Sequence, residues 1–184
     1  ALKIALDNGY LDIAGRAYNN LALSLPPEEN ERIFECYEKG LELAKKAGEI
    51  EEIAWFSGQL AGMNIGMGNI DKAMALAEES DALSRKIGSL FNLSNTTLLL
   101  GALYNILGEW SKGEPYLKES LSISQKIENT QSISNSYGFL GFCYYDRGEY
   151  AKAKECFERM SEIDEKAGWK AFRVYNYQWR ALNC

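Results

Sequence analysis

The sequence predicts an all-α protein built from antiparallel helix hairpins stacked one on the next. The main observation is a period of about 40 residues, because self-similarity at a fixed period of this size is the signature of repeat architectures. Gly68, Gly108 and Gly148 recur at this period and begin three similar short segments. Within each period, apolar residues recur at the i, i+3, i+4 and i+7 spacing of helices, not at the alternating spacing of strands.

Each period contains two helices, and a second boundary separates one pair of helices from the next. Gly48, Gly88, Glu128 and Gly168 occupy this boundary at the same spacing, and Gly9 continues the series nearly one full period earlier. The first helix of each period is nearly free of charge, whereas the second carries Lys and Glu along one side. We therefore expect the first helices to lie inside the stack, the second helices to show a charged face to water, and one continuous apolar seam to join the pairs.

Glycine and proline indicate where the helices end. The glycines of the second boundary follow helices that contain Lys, where a left-handed residue closes a helix at little steric cost. Pro26 and Pro27 mark the reversal within the first hairpin. Ser111 and Glu114 have the spacing of a capping box, which predicts that Pro115 lies in the first turn of its helix.

These boundaries predict a single repeat domain over residues 1–184. We divide it into a half unit, four hairpins and a terminal helix: 1–9, 10–48, 49–88, 89–128, 129–168 and 169–184. The chain begins at Ala1 without Met and ends within a helical pattern, so we expect it to be a piece of a longer protein.

Composition argues against several classes of function. A formal charge of −6 offers no basic footprint for DNA or RNA, and we expect no direct nucleic-acid binding. His is absent, which removes the commonest general acid/base and metal ligand, so we expect no catalysis, metal or cofactor. Cys36, Cys143, Cys156 and Cys184 lack metal-site spacing and are predicted to be reduced thiols, three of them in or near the core. With no membrane-spanning run or signal peptide, we expect a cytoplasmic protein.

Two segments carry a family resemblance. Leu140-Gly141-Phe142-Cys143-Tyr144, followed by Gly148-Glu149-Tyr150, Ala153 and Phe157, resembles the tetratricopeptide repeat, and residues 100–113 match nearly as well. The length of the period is similar to that of the long repeats of maltose-activator-type regulators and kinesin light chains. The resemblance implies a right-handed superhelical solenoid that binds a protein or peptide on its concave face. It also implies the sensor or interaction part of a larger regulator.

The resemblance assigns the binding face to the first helices. Carried onto this sequence, the groove positions are Asn19, Trp55, Gln59, Asn95, Leu99, Asn105, Asn135, Phe139, Phe142, Tyr145, Tyr175 and Trp179. Lys and Arg are missing from this set, whereas Asn recurs, and an amide both donates to and accepts from a peptide backbone. A neighbouring domain of the same chain could instead cover this face.

Two other classes of function stay open at this point. The array could self-associate through its terminal half repeats, since a half repeat leaves apolar surface without a cap. An α/α-helical enzyme would need two close, buried carboxylates in one cleft. The first helices carry almost no Asp or Glu apart from Asp146, which argues against the enzyme.

Overall fold

The computed structural model describes residues 2–169, which form nine α-helices and no strand. The helices are α1 (Leu2–Asp7), α2 (Leu11–Ser24), α3 (Asn30–Ala47), α4 (Ile50–Gly66), α5 (Ile70–Ile87), α6 (Leu90–Ile106), α7 (Trp110–Lys126), α8 (Thr130–Asp146) and α9 (Tyr150–Ala167). None of these helices is long and apolar enough to cross a membrane.

The helices form two compact units, one up to Leu99 and one from Leu100 onward, with α6 contributing to both. In the first unit α2 packs against α3, and α4 packs against α5. In the second unit α8 packs against both α7 and α9. The even-numbered helices α2, α4, α6 and α8 are the first helices of the predicted hairpins.

Left-handed residues end the second helices, as the sequence predicts. Gly48, Gly88 and Gly168 follow α3, α5 and α9 with φ between 70° and 75°. Glu128 occupies the equivalent position after α7 with φ 55°, and it is the one positive-φ residue other than glycine among those described. A side chain in this conformation is strained, because its Cβ crowds the following carbonyl.

The core of the first unit combines apolar packing with buried hydroxyl groups. Phe56 is fully buried, and its ring centroid lies 6.1 Å from that of Tyr37 on the neighbouring hairpin. A Cβ atom at Gly40 would lie 2.5 Å from the Phe56 ring, so the missing side chain admits the ring. Ser80 on α5 is also fully buried, and its hydroxyl donates a 2.5 Å hydrogen bond to the carbonyl oxygen of Ala54 on α4.

The second unit has the same mixed character. The hydroxyls of Ser120 and Ser136 lie 3.0 Å apart in the interior between α7 and α8. Ser134 donates a 2.5 Å hydrogen bond to the carboxylate of Asp164. Asp164 is only 2% exposed, and no other Asp or Glu among the described residues is buried. The expectation of one continuous apolar seam is therefore wrong in detail. Small hydroxyl side chains fit where two helices approach closely, and they hydrogen-bond there.

The predicted capping box is also wrong. Helix α7 begins at Trp110, ahead of the position that a Ser111 cap would require, and its N-cap Glu109 makes no side-chain cap hydrogen bond. Pro115 consequently lies beyond the first turn, inside the helix. The Glu114 carboxylate turns toward α8 and accepts a 2.9 Å hydrogen bond from the hydroxyl of Tyr144.

The cysteine prediction is confirmed for the described residues. Cys36, Cys143 and Cys156 are free and buried. Burial raises the pKa of all three thiols, that of Cys156 to about 11, so they stay protonated and unreactive at neutral pH. Cys184 lies outside the described residues.

Candidate binding groove

Trp55 is the anchor of the candidate site in the first unit. Its indole Nε1–H donates a 2.9 Å hydrogen bond to the side-chain oxygen of Asn19 on α2. Its ring stacks on that of Phe91 on α6, with the centroids 5.9 Å apart and the planes 27° apart. Contacts from both neighbouring first helices therefore fix the position and tilt of the indole.

An open groove lies beside Trp55, between α4 and α6. We name it the α4–α6 groove; its volume is about 340 Å³. The α4 side is formed mainly by Trp55, Gly58, Gln59, Gly62 and Met63, and the α6 side by Asn92, Asn95, Thr96, Leu98 and Leu99. The groove is thus largely apolar and carries amide groups on its walls.

Two glycines on α4 make the groove deep. A Cβ atom at Gly58 would lie 3.2 Å from the hydroxyl of Ser80 and 3.6 Å from a methyl group of Thr96. A Cβ atom at Gly62 would lie 3.7 Å from a methyl group of Leu99. A larger side chain at either position would extend into the space between the helices.

A second depression of about 250 Å³ adjoins the α4–α6 groove. It is lined by Asn19, Glu51, Glu52, Trp55, Phe91 and Asn92, so Trp55 and Asn92 border both spaces. Asn92 is only 5% exposed, and its amide makes no side-chain hydrogen bond to a described residue. Because Asn92 lines both open spaces, its amide can hydrogen-bond to a group that enters them.

The second depression is acidic. Burial raises the pKa of Glu52, and Arg16 nearby acts in the opposite direction. The Arg16 guanidinium is itself paired with Asp12 at 2.7 Å. Neither Glu51 nor Glu52 forms an ion pair with a described residue. The two carboxylates give this depression a negative charge, and because both lie on α4, the expectation that the first helices carry almost no Asp or Glu apart from Asp146 is wrong here.

The structure brings five of the predicted residues together in the first unit. Asn19, Trp55, Gln59, Asn95 and Leu99 all border the α4–α6 groove or the depression beside it. Gln59 is half-buried and makes no side-chain hydrogen bond to a described residue, so its amide faces the groove without a competing partner.

The predicted residues of the second unit have other contacts. Asn105 donates a 3.1 Å hydrogen bond to the backbone oxygen of Phe139, while its own side-chain oxygen is buried without a partner. The side-chain oxygen of Asn135 accepts a 3.1 Å hydrogen bond from Gln131. Phe139 is half-buried, and neither these amides nor Phe139 lines the α4–α6 groove.

Two aromatic residues of the predicted set lie against the second helix of their own hairpin. Phe142 meets Phe157 edge to face at 5.2 Å, and Tyr145 meets Tyr150 at 5.4 Å. Phe142 remains 38% exposed. Tyr175 and Trp179 fall outside the described residues.

Sequence reasoning missed Phe91 and Asn92. Each lies at the start of α6, where the residues one period earlier are Glu51 and Glu52, so the repeat alignment marks these positions as charged and solvent-facing. The sequence did contain one indication of Phe91. The number of residues from Asn19 to Trp55 equals the number from Trp55 to Phe91. This spacing is about one helical turn shorter than the period, because adjacent first helices contact one another one turn out of register.

A cluster of charged and polar side chains surrounds Glu114 in the second unit. Glu114 on α7 is bonded by Lys118, Arg147 and Tyr144, and these hydrogen bonds, with that from Lys118 the strongest influence, lower its pKa to about 2. Burial, followed by the hydrogen bond to Glu114, raises the pKa of Tyr144 to about 12. The cluster ties α7 to α8 and is structural.

The described residues contain no group of three or more His, Cys, Asp or Glu side chains placed to hold a metal ion. The described residues form helical-hairpin repeats, and two of the first helices, α4 and α6, border an open groove. Residues 92–166 match the tetratricopeptide repeat family. A comparison with curated proteins finds no match.

Three solved structures share the fold. BtubC (BKLC) from P. vanneervenii superposes with a TM-score of 0.64 at 16% identity, over 91% of this chain and 78% of that chain. A putative kinesin light chain from Podosopora anserina with nearly identical TPR-like repeats gives a TM-score of 0.56 at 17% identity, over 91% and 92%. MamA gives a TM-score of 0.52 at 19% identity, over 91% and 96%.

These findings confirm the predicted class. The described residues have the all-α fold of tetratricopeptide-like repeats of antiparallel helix hairpins, and residues 92–166 match the family itself. Proteins of this kind generally serve as scaffolds for protein–protein interaction.

Proposed function

We propose that this chain is a non-catalytic scaffold that binds a protein or peptide segment along its first helices, and that it forms the interaction part of a larger regulatory protein. The observation that supports the proposal best is the α4–α6 groove, because five residues chosen from the family resemblance border it or the adjoining depression. A partner held there would report to other domains of the same protein.

The chemistry of the groove suits a polypeptide. Aromatic side chains such as Trp55 supply broad contact area with few rotatable bonds, and its indole is already held by Asn19 and Phe91. A side chain fixed before binding loses little conformational entropy when the partner arrives. Amides of Gln59 and Asn92 are available to donate to and accept from a peptide backbone.

Selection from a random linear peptide library displayed on phage tests this proposal. Selected peptides are synthesised and titrated against the wild-type chain, Gln59→Arg and Ala82→Arg. Gln59 lines the groove on α4, whereas Ala82 is exposed on α5, a second helix outside it. We expect Gln59→Arg to weaken binding and Ala82→Arg to leave it unchanged. Peptides that bind both variants as they bind the wild type would overturn the proposal.

Self-association is the second candidate function. Exposed apolar side chains occur on α1, on α2 and in the turn between them: Ile4 is 65% exposed, Tyr10 53%, Ile13 46% and Leu23 64%. A second copy of the chain would cover such a surface. Sedimentation velocity over a range of concentrations tests this candidate, with Ile4→Glu and Ile13→Glu as variants expected to dissociate any oligomer. A strict monomer throughout would rule it out.

A further inference from the structure

The space in the α4–α6 groove depends on the absence of a side chain at Gly62 on α4. Gly62 on α4 corresponds to Ala102 one period later and to Phe142 two periods later. The repeat register therefore tolerates side chains up to Phe at this position, yet α4 places only hydrogen there. The part of the groove beside Gly62 is bordered by Leu98 and Leu99 and lies one turn beyond Gly58, so a single apolar side chain from outside can enter it.

Asn92 adds a polar requirement at the edge of this space. Its side chain is more than nine-tenths buried, lines both depressions and lacks a hydrogen-bond partner among the described residues. An amide pairs well with a peptide group, donating to the carbonyl and accepting from the N–H. An amino-acid residue within an extended chain can do both: its peptide group hydrogen-bonds to the Asn92 amide, and its side chain fills the space beside Gly62.

The adjoining carboxylates set the charge of the occupant. Glu51 and Glu52 lie on the far side of Trp55 from Gly62, on the preceding turns of α4. A Lys or Arg close in sequence to the apolar residue would pair with them, and partial burial makes such pairing stronger than on an open surface. An acidic neighbour would instead be repelled.

The openness of the groove favours a polypeptide over a small molecule. Sites for small ligands range from about 300 to 1,000 Å³ and enclose most of the ligand surface. This groove lies at the lower end of that range with a volume of about 340 Å³, and it is open along one side. A side chain attached to a larger partner needs no such enclosure, because the remaining contacts come from its backbone and neighbours.

We infer that the α4–α6 groove recognises an extended peptide segment in which a large apolar side chain enters the space beside Gly62 and a nearby Lys or Arg pairs with Glu51 and Glu52. This inference rests on the proposed function and defines its partner by chemistry. Asn92 bonds to the peptide backbone between these two side chains.

The test of the apolar space compares two substitutions on one helix. Gly62→Phe fills the groove with the residue that stands at position 142, whereas Gly66→Phe places the same ring at an exposed position with no atom within 4 Å of its Cβ. Peptides selected from the random library are titrated against both variants. We expect Gly62→Phe to lower affinity by about tenfold or more, as burial of one large side chain contributes that much, and Gly66→Phe to have no effect.

The test of charge uses the double variant Glu51→Gln/Glu52→Gln, with Glu78→Gln on the exposed face of α5 as control. We expect selected peptides to carry Lys or Arg near the apolar residue and to bind the double variant about fivefold more weakly at low salt. The same peptides with Ala in place of the basic residue should not distinguish the double variant from the wild type.

The outcomes separate this inference from the proposed function. Peptides that lose affinity for Gln59→Arg but bind Gly62→Phe like the wild type would overturn the apolar-space inference and leave the scaffold proposal standing. Peptides that are sensitive to Gly62→Phe but consistently acidic would overturn the choice of partner. Peptides indifferent to both Gln59→Arg and Gly62→Phe would overturn the inference and the proposed function together.

Discussion

The indole nitrogen of Trp55 and the side-chain oxygen of Asn19 lie 2.9 Å apart, joined by a hydrogen bond between two first helices that are separated by a complete second helix in the sequence. This bond fixes the aromatic wall of the candidate groove before any partner is present. It also connects the stability of the repeat stack with the geometry of the site.

We therefore expect Asn19→Ala to cost stability. Loss of the bond leaves the partly buried indole N–H without its acceptor, and we expect the free energy of unfolding to fall by about 1 kcal/mol. Asn20→Ala is the matched control, because Asn20 is exposed on the same helix and forms no side-chain hydrogen bond to a described residue. Urea denaturation of both variants measures the difference, and equal midpoints would contradict the role of the bond.

The Glu114 cluster predicts a pH-dependent stability. The pKa of Glu114 is lowered from 4.5 to about 2 in the folded chain, so its contribution is fully present above pH 4.5 and is lost as pH falls toward 2. We expect Glu114→Gln to destabilise the protein by about 1–2 kcal/mol at neutral pH and by progressively less below pH 4.5. Denaturation between pH 2 and pH 7 checks this. Glu158→Gln, at an exposed 3.9 Å ion pair, should show no such trend.

Glu128 predicts a stabilising substitution. Its φ of 55° matches the left-handed glycines at positions 48, 88 and 168, but its side chain makes this conformation costly. We expect Glu128→Gly to raise the free energy of unfolding by about 0.5–1 kcal/mol, after allowing for the greater freedom of glycine in the unfolded chain. The reverse change, Gly88→Ala, should lower it by a similar amount. Thermal denaturation of the two variants should give shifts of opposite sign.

Gly113 and Gly66 predict opposite responses to the same substitution. A Cβ atom at Gly113 would lie 2.9 Å from the backbone oxygen of Gly101, which cannot move aside easily, whereas one at Gly66 meets nothing within 4 Å. We expect Gly113→Ala to destabilise by about 1–3 kcal/mol. We expect Gly66→Ala to stabilise by about 0.5–1 kcal/mol through helix propensity. Urea denaturation measures both changes, and if they had the same sign, the close approach of α6 and α7 at Gly113 would be in doubt.

The period of the sequence predicted the helices well because backbone constraints recur with it. Left-handed glycines such as Gly48 end helices for a local steric reason that can be read without tertiary contacts. The capping box at Ser111 failed because α7 begins before it and Glu114 bonds instead to Lys118 on its own helix and to Tyr144 on α8, and local spacing cannot reveal the partner on α8. The buried hydrogen bonds of Ser80 and Ser134 were missed for the same reason, since their acceptors lie on other helices.

The candidate groove was predicted only in part. Trp55 and Gln59 follow from the repeat register, because equivalent residues of successive first helices share one face. Asn92 could not be found this way, since its equivalent one period earlier is the charged residue Glu52. Asn105 illustrates the converse: the register marks it as a ligand-binding amide, but its N–H group is bonded to the neighbouring first helix. That contact depends on the helix spacing, which the sequence does not specify.

The buried hydroxyls have a consequence for how a chain of similar repeats finds a single pairing. Apolar columns that recur with every period would allow one helix to slide along another, or to pair with the wrong neighbour, at small energetic cost. The bond from Ser80 to the carbonyl of Ala54 and that from Ser134 to Asp164 each join one donor to one acceptor. If a helix were displaced, these polar groups would be buried without hydrogen-bond partners, which costs free energy. Each polar pair therefore favours one alignment of its two helices over the others.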